Sequence, residues 1–340
     1  MNRFALKVIL AALSLGAGTG ASAQAQTAPT IYGLLDLSAG RFQNPGGIHQ
    51  WRADSGRMTT SFLGFRGSDD LGGGLRARFG LETYIRVDEG AAGRTTSDPF
   101  WTRTAYVGLQ GQFGTSLIGR LPTPLWAATR QFNPFLDSVG FSPSIRQYFG
   151  GAILGDSRWN NSVLFSSPEP EGGHGLSYNV QFNADEGEVG ATGRNVGASM
   201  LYTSGPLSAT GVWQRVRNGA APYPAGFDHQ STFQVGASYE FPVVKIYGQA
   251  GSVKTSATTG VKTVLYQLGA VVPVGLGFVM GSYGHARAEV AGTRSIRRTL
   301  SIAYDYYLSK STDIYAALMN EQITNLSSAN TVAAGLRVRF

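Results

Sequence analysis

Four histidines, His49, His174, His229 and His285, are the residues of this chain best suited to proton transfer or metal ligation, and their spacing supports neither. None sits beside a serine in a G-x-S-x-G turn, and none forms the H-E-x-x-H pair that puts two imidazoles on one helix face. Cysteine is absent, which removes thiol catalysis, disulfide scaffolds and cysteine-ligated metals. Isolated histidines are ordinary loop or interfacial residues, so the chain reads as no enzyme and calls for no cofactor and no metal. The chemistry that remains belongs to arginine. Arg76, Arg78, Arg103, Arg120 and Arg158 are fixed cations that can attract and orient anions wherever the backbone holds them away from bulk water. A formal charge of +7 can indicate a nucleic-acid partner, but Lys is scarce, Arg is scattered and no basic block occurs, so none is expected.

The elements that must hold these arginines have a period of two. Leu75, Ala77, Phe79 and Leu81 alternate with Arg76, Arg78, Gly80 and Glu82. Leu176, Tyr178, Val180 and Phe182 alternate with Ser177, Asn179, Gln181 and Asn183, and Phe233, Val235, Ala237, Tyr239 and Phe241 with Thr232, Gln234, Gly236, Ser238 and Glu240. The final strand sets Val332, Ala334, Leu336, Val338 and Phe340 against Thr331, Ala333, Gly335, Arg337 and Arg339. Segments of about ten residues with apolar-out, polar-in alternation are the signature of a transmembrane barrel. With 46 Gly and 14% charged residues, the chain is rich in glycine and poor in charge, which suits many strands joined by short turns.

Arg3 and Lys7 flank or interrupt an apolar run from Phe4 to Leu15, which is followed by Ala21-Ser22-Ala23 and Ala23-Gln24-Ala25. This reads as a secretory signal peptide over residues 1–25, too short for a membrane helix of ~20 residues. Its removal lowers the formal charge from +7 to +5 and leaves a barrel domain over 26–340. The charge-free stretch Leu268–Gly284 contains Pro273 and several glycines, so it reads as two strands about a turn rather than a membrane helix.

In hydrocarbon every backbone N–H and C=O needs a partner, and a sheet meets that demand only by closing on itself. The inner face is filled with Asn, Gln, Ser, Arg and Glu, which suits a wide, water-filled lumen. Segmentation finds sixteen strands, starting near residues 30, 58, 74, 101, 113, 158, 175, 194, 207, 230, 243, 262, 276, 295, 312 and 330. Short connections such as Ser204-Gly205-Pro206 and Pro242 belong to one side of the membrane, and longer ones such as 217–229 to the other. The connection 122–157 breaks the rhythm. It carries Pro122, Pro124, Pro134 and Pro143 with Trp126, Phe132, Phe135, Phe141, Tyr148 and Phe149, and aromatics this dense imply packing inside the barrel.

These residues resemble general porins of the Gram-negative outer membrane, of the neisserial and betaproteobacterial type. The resemblance spans the mature chain and rests on Ile31-Tyr32-Gly33-Leu34-Leu35-Asp36, Leu63-Gly64-Phe65-Arg66-Gly67-Ser68-Asp69-Asp70-Leu71-Gly72, Arg103-Thr104-Ala105-Tyr106-Val107-Gly108-Leu109, Gly119-Arg120, Asn160-Asn161-Ser162-Val163 and Gly335-Leu336-Arg337-Val338-Arg339-Phe340. It implies an all-β, sixteen-stranded antiparallel transmembrane barrel, a homotrimer, whose third external loop folds into the lumen against a wall of arginines. Small hydrophilic solutes would diffuse through it passively. Two wall positions fall on Arg103 and Arg158, while a third falls on Phe62, where the family's usual arginine is missing.

Strand parity turns Arg158 inward with Asn160 and Ser162, opposite Val163 and Phe165. Arg103 shares parity with Ala105, Val107 and Leu109. The resemblance and the ~2–4 kcal/mol cost of a lipid-facing arginine at mid-depth place it inside. Arg76 and Arg78 point inward by alternation, and Arg120 by the same cost; each can instead pair with Glu82 or Asp36 away from the narrowest point. Arg337 and Arg339 belong to the exit. The loop carries only the acids Asp137 and Asp156 against Arg130 and Arg146, so Asp137 would line a constriction that mildly favours anions. The resemblance makes Phe340 the terminal aromatic read by the barrel assembly machinery, beside lipid and lipopolysaccharide as surroundings; girdle packing is its alternative role. Two other functions fit the same barrel: a substrate-specific channel, with Trp126 to Phe149 forming a slide for a sugar or an organic or aromatic acid, and an adhesive barrel whose loops bind a partner.

Overall fold

The computed structural model describes residues 28–183, 194–217 and 223–340; the leader read over 1–25 lies outside them. The described residues build sixteen long strands. The first eight are β1 (Thr30–Phe42), β2 (Phe62–Gly72), β3 (Leu75–Arg86), β4 (Thr104–Gly111), β5 (Gly114–Pro122), β6 (Arg158–Ser166), β7 (Gly175–Asn183) and β8 (Val196–Ser204). The rest are β9 (Leu207–Val216), β10 (His229–Glu240), β11 (Lys245–Ser256), β12 (Val261–Val274), β13 (Gly277–Val290), β14 (Thr293–Tyr307), β15 (Thr312–Ile323) and β16 (Ala329–Arg339). Each pairs antiparallel with its neighbour, and β1 pairs with β16 from Leu34 opposite Arg339 to Arg41 opposite Val332. The sheet therefore closes and leaves no edge for hydrocarbon to face. A short strand, Gln50–Ser55, pairs with Leu37–Phe42 of β1, and Ala91–Ala92 pairs with Ile85 and Arg86 of β3.

Alternation sorts the two faces. Val107, Ile118, Phe233, Leu268, Leu300 and Leu336 are exposed on the outside, whereas Gln181, Gln214, Gln234, Gln249 and Gln267 are buried on the inside. Among the described residues no helix is long and apolar enough to cross a membrane, and the barrel crosses with strands instead. Chain closure is tied from within. The buried Asp36 carboxylate of β1 accepts hydrogen bonds from the Met58 and Thr59 amides at 2.7 and 2.8 Å and from the Tyr315 hydroxyl at 2.7 Å. Arg337 of β16 bridges Asp305 and Asp313, and Arg339 also reaches Asp313.

Two strand starts moved by more than two residues from their expected places. β2 begins at Phe62 rather than near 58, because Asp36 captures the two amides that would otherwise start the strand. β4 begins at Thr104 rather than near 101, because Thr102 and Arg103 form a bend.

The wall is low where the long connection leaves it: β4 and β5 have 8 and 9 residues, against 14 and 15 in β13 and β14. The connection forms α1 (Pro124–Gln131), α2 (Pro143–Gln147) and a π-turn at Tyr148–Ala152. Thr123 and Ser142 cap the helices by accepting from the Trp126 and Ile145 amides, and a proline follows each cap, where its missing N–H costs nothing.

The segment lies against the inward face of the wall, α1 on β7 to β10 and α2 on β12 to β14. Ser144 donates its amide to Gln267 Oε1 at 2.7 Å, Gln249 donates to the Phe132 carbonyl at 3.1 Å, and Gln230 exchanges bonds with Leu154 and Ala152. Glycines on the wall make room for it. A Cβ on Gly236 would meet Phe132 at 3.0 Å, and one on Gly269 would meet Pro134 at 2.5 Å. Gly251 and Gly284 likewise face Tyr148 and Pro143. On the far side, Arg146 reaches the wholly buried Glu321 of β15 at 2.7 Å.

Candidate pore constriction

Arg103 and Arg158 come together with Phe62, Tyr84 and Trp126 where the loop leaves the wall. The bend at 102–103 frees Arg103 from the parity of Ala105 and Val107, so its guanidinium turns inward and pairs with Glu82. Its Cζ lies 3.8 Å from the Phe62 ring centroid and 5.8 Å from that of Tyr84. Arg158 lies between Trp126 and Tyr84, at 5.1 and 5.3 Å, and donates to the Ser157 hydroxyl at 2.9 Å.

Arg158 is inside the barrel, but not through the parity read from the sequence. A bulge spans Asn160 and Asn161, the latter at φ 45°, so Arg158 and Ser162 are not in one alternating row and Asn160 is exposed. Both arginines are shielded, Arg103 at 9% and Arg158 at 4% exposure, where open lumen arginines were expected. Aromatic faces satisfy a guanidinium by cation–π attraction and exclude water from it. Arg158 forms no salt bridge among the described residues, so its charge stands uncompensated beside the loop.

Arg120 does not point into the lumen. It stands opposite Ala105, in the outward row of Val107 and Ile118, between Gly119 and the inward, buried Leu121. The cost of an outward arginine is met by hydrogen bonds to the Thr102 carbonyl at 2.5 Å, Asn160 Oδ1 at 2.7 Å and Asp156 Oδ2 at 3.1 Å. Asp156 also receives Arg94 at 3.0 Å. Burial alone would raise the Asp156 carboxyl, but the Arg94 and then the Arg120 guanidinium hold it well below the usual carboxylate range. One of the loop's two acids is thus consumed in anchoring its end.

Arg76 and Arg78 share the inward row of Glu82 but lie beside the Gly72–Gly74 turn, several residues along β3 from Tyr84. Arg78 donates to Gln110 at 3.2 Å, and neither pairs with Glu82 or Asp36. They are placed at the short-turn mouth, apart from the loop. Asp137 is buried at the loop's tip, and no salt bridge joins it among the described residues. Phe340 closes the seam: Gly33 donates to its carbonyl at 3.0 Å, its own amide donates to Gly33 at 3.2 Å, and its ring remains largely exposed.

Sequence reasoning missed Tyr84, Arg94 and the Arg337–Asp305–Asp313 network. The inward parity of Arg337 and Arg339 was visible, whereas Arg94 lies in a connection without periodicity. The lumen holds a cavity of about 630 Å³ beside Gly150–Leu154 and Arg297, and one of about 440 Å³ beside Pro134–Leu136 and Arg339. Among the described residues no cluster of three or more His, Asp or Glu side chains could hold a metal.

A closed barrel with an apolar outer wall and an inward loop across a polar lumen defines a transmembrane channel. The family model described as Gram-negative porin matches residues 10–325. The chain is 31% identical to outer membrane porin protein 32 of Delftia acidovorans, across 97% of this chain and 95% of that one. It is 26% identical to an outer membrane porin of Bordetella pertussis, across 98% and 99%. In three dimensions it matches an anion-selective porin from Comamonas acidovorans with a TM-score of 0.79 at 26% identity, covering 92% of this chain and 99% of that one. The chain belongs to the family of Gram-negative porins. It resides in the outer membrane and lets small hydrophilic solutes diffuse through its lumen.

Proposed function

We propose that this porin mildly favours anions and that Arg158 carries most of that preference. The supporting observation is its guanidinium, unpaired among the described residues and held between Trp126 and Tyr84 while Glu82 neutralises Arg103. A fixed charge beside a low-dielectric wall raises the local concentration of the opposite ion, and pore width sets the size limit. Arg76 and Arg78 add a basic mouth at the short-turn end. Asp137, buried at the loop's tip, offers little opposing charge to the open lumen.

A substrate-specific channel fits less well. Phe132, Phe135, Phe141 and Tyr148 are turned into the core between loop and wall, so they offer no continuous slide to a solute.

The biological unit is a homotrimer in this reading. Across the β14–β16 and β1 seam the outer wall has an apolar hollow of about 670 Å³ lined by Ala39, Ala316, Ala334, Leu37 and Leu336, small and flat enough for another barrel. Residues 1–25 serve as the cleaved export signal, and Phe340 is read by the barrel assembly machinery.

Single-channel current in a planar bilayer under a salt gradient tests the selectivity. The expected record is conductance in triplet steps with an anion-favouring reversal potential, shifted toward cations by Arg158→Ala. Arg103→Ala, by freeing Glu82, should shift it the same way. A reversal potential unmoved by Arg158→Ala would refute its role.

A further inference from the structure

The outer wall carries a charged feature that solute diffusion does not use. On β11 to β14, Thr255, Thr263, Ala288, Ser295 and Arg297 line the lumen cavity, so the residues between them face the lipid side. At the loop-side ends of these strands that outward face holds Lys254, Lys262, Arg287, Arg294 and Arg298, with a single carboxylate, Glu289.

Strand register makes them one patch. Lys254 stands opposite Lys262, Lys262 opposite Glu289, Glu289 opposite Arg294, and Arg298 opposite His285. Glu289 is divided between Arg294 at 3.5 Å and Arg287 at 3.6 Å. Lys254, Lys262 and Arg298 form no salt bridge among the described residues and are exposed. Like charges directly opposite on one face of an antiparallel pair destabilise it, so the Lys254–Lys262 pair calls for an external anion.

The surroundings identify that anion. Immediately toward the membrane the Tyr266 ring stacks on His285, with centroids 4.9 Å apart and planes at 9°, and below that shelf the outward face is Leu268, Tyr283, Leu300 and Ile302. The bases thus stand at the border between the apolar band and the external water, the level of headgroups. We propose that this patch binds the phosphate groups of a lipid headgroup in the external leaflet, while the lipid's chains lie on the apolar wall beneath. The assignment rests on the outer-membrane setting of the barrel. Arginine and lysine both bind phosphate oxygens through charge-assisted hydrogen bonds, and several bases spaced along neighbouring strands suit a headgroup bearing more than one phosphate.

The test uses the full barrel in detergent micelles, titrated with a diphosphorylated, multiply acylated glycolipid and followed by native mass spectrometry. The same glycolipid stripped of phosphate and equimolar inorganic phosphate serve as the comparison ligand and the competitor. The wild-type barrel should hold the phosphorylated lipid about tenfold more tightly than the stripped one. K254Q/K262Q/R298Q should lose that preference and K262Q part of it, both with wild-type conductance. A preference undiminished in the triple variant, equal binding of the stripped lipid, or full displacement by inorganic phosphate would overturn the site. Conductance is read on the same preparations, so a barrel that prefers the phosphorylated lipid without conducting would support the site and count against the channel alone.

Discussion

The Arg103 guanidinium carbon lies 3.8 Å from the centroid of the Phe62 ring, at the place where the family resemblance expects a third arginine. The aromatic ring and Glu82 together satisfy Arg103, and of these two constriction arginines Arg158 is the one without a salt bridge among the described residues. Selectivity at such a constriction depends on which charges remain unpaired rather than on how many arginines line the wall.

Replacing Phe62 by leucine keeps an apolar side chain but removes the ring face. The loss should be about 0.5–2 kcal/mol, read as a lower urea midpoint in detergent. Phe62→Arg should instead move the reversal potential further toward anions, since no second carboxylate pairs with this position.

Asp156 fixes the end of the loop through Arg94 and Arg120. Because its carboxyl is held well below the value it has in the unfolded chain, its contribution is fully present above about pH 4 and is lost progressively as pH falls from there through the much lower value it has in the folded barrel. Asp156→Asn should cost about 1–3 kcal/mol at pH 7 and flatten the loss of stability below about pH 4, measured by urea unfolding at each pH.

Gly236 leaves room for Phe132 against the inner wall, and the nearest atoms a Cβ there would meet belong to the side chains of Phe132 and Thr210. Gly236→Val would push the loop toward the open lumen, so single-channel conductance should fall while the barrel remains folded and heat-modifiable. An unchanged conductance would show that the loop does not bound the conducting path.

Phe340 closes a backbone bond pair with Gly33 that needs no side chain. Phe340→Ala should therefore refold in detergent with little loss, yet give several-fold less assembled barrel in cells. Equal loss in both settings would mark a packing role instead.

Alternation alone specified the strands, because a sheet in hydrocarbon must put apolar side chains on one face and close its backbone bonds, and the strand starts fell within four residues of the observed ones. The same pattern could not orient Arg103 and Arg158, because parity counts hold only within an unbroken ladder, and a bend at Arg103 and a bulge at Asn160–Asn161 interrupt it there. Arg120 keeps its alternation with Ile118 and faces outward, where hydrogen bonds to the Thr102 carbonyl, Asn160 and Asp156 offset the cost that argued for an inward side chain. The resting place of the loop was equally hidden, since it depends on contacts such as Ser144 with Gln249, 105 residues apart. Local sequence thus decided the barrel, through a periodicity that solvent enforces along each strand. Tertiary structure decided which charges stay unpaired, because pairing is settled between strands and loops that meet only once the barrel has closed.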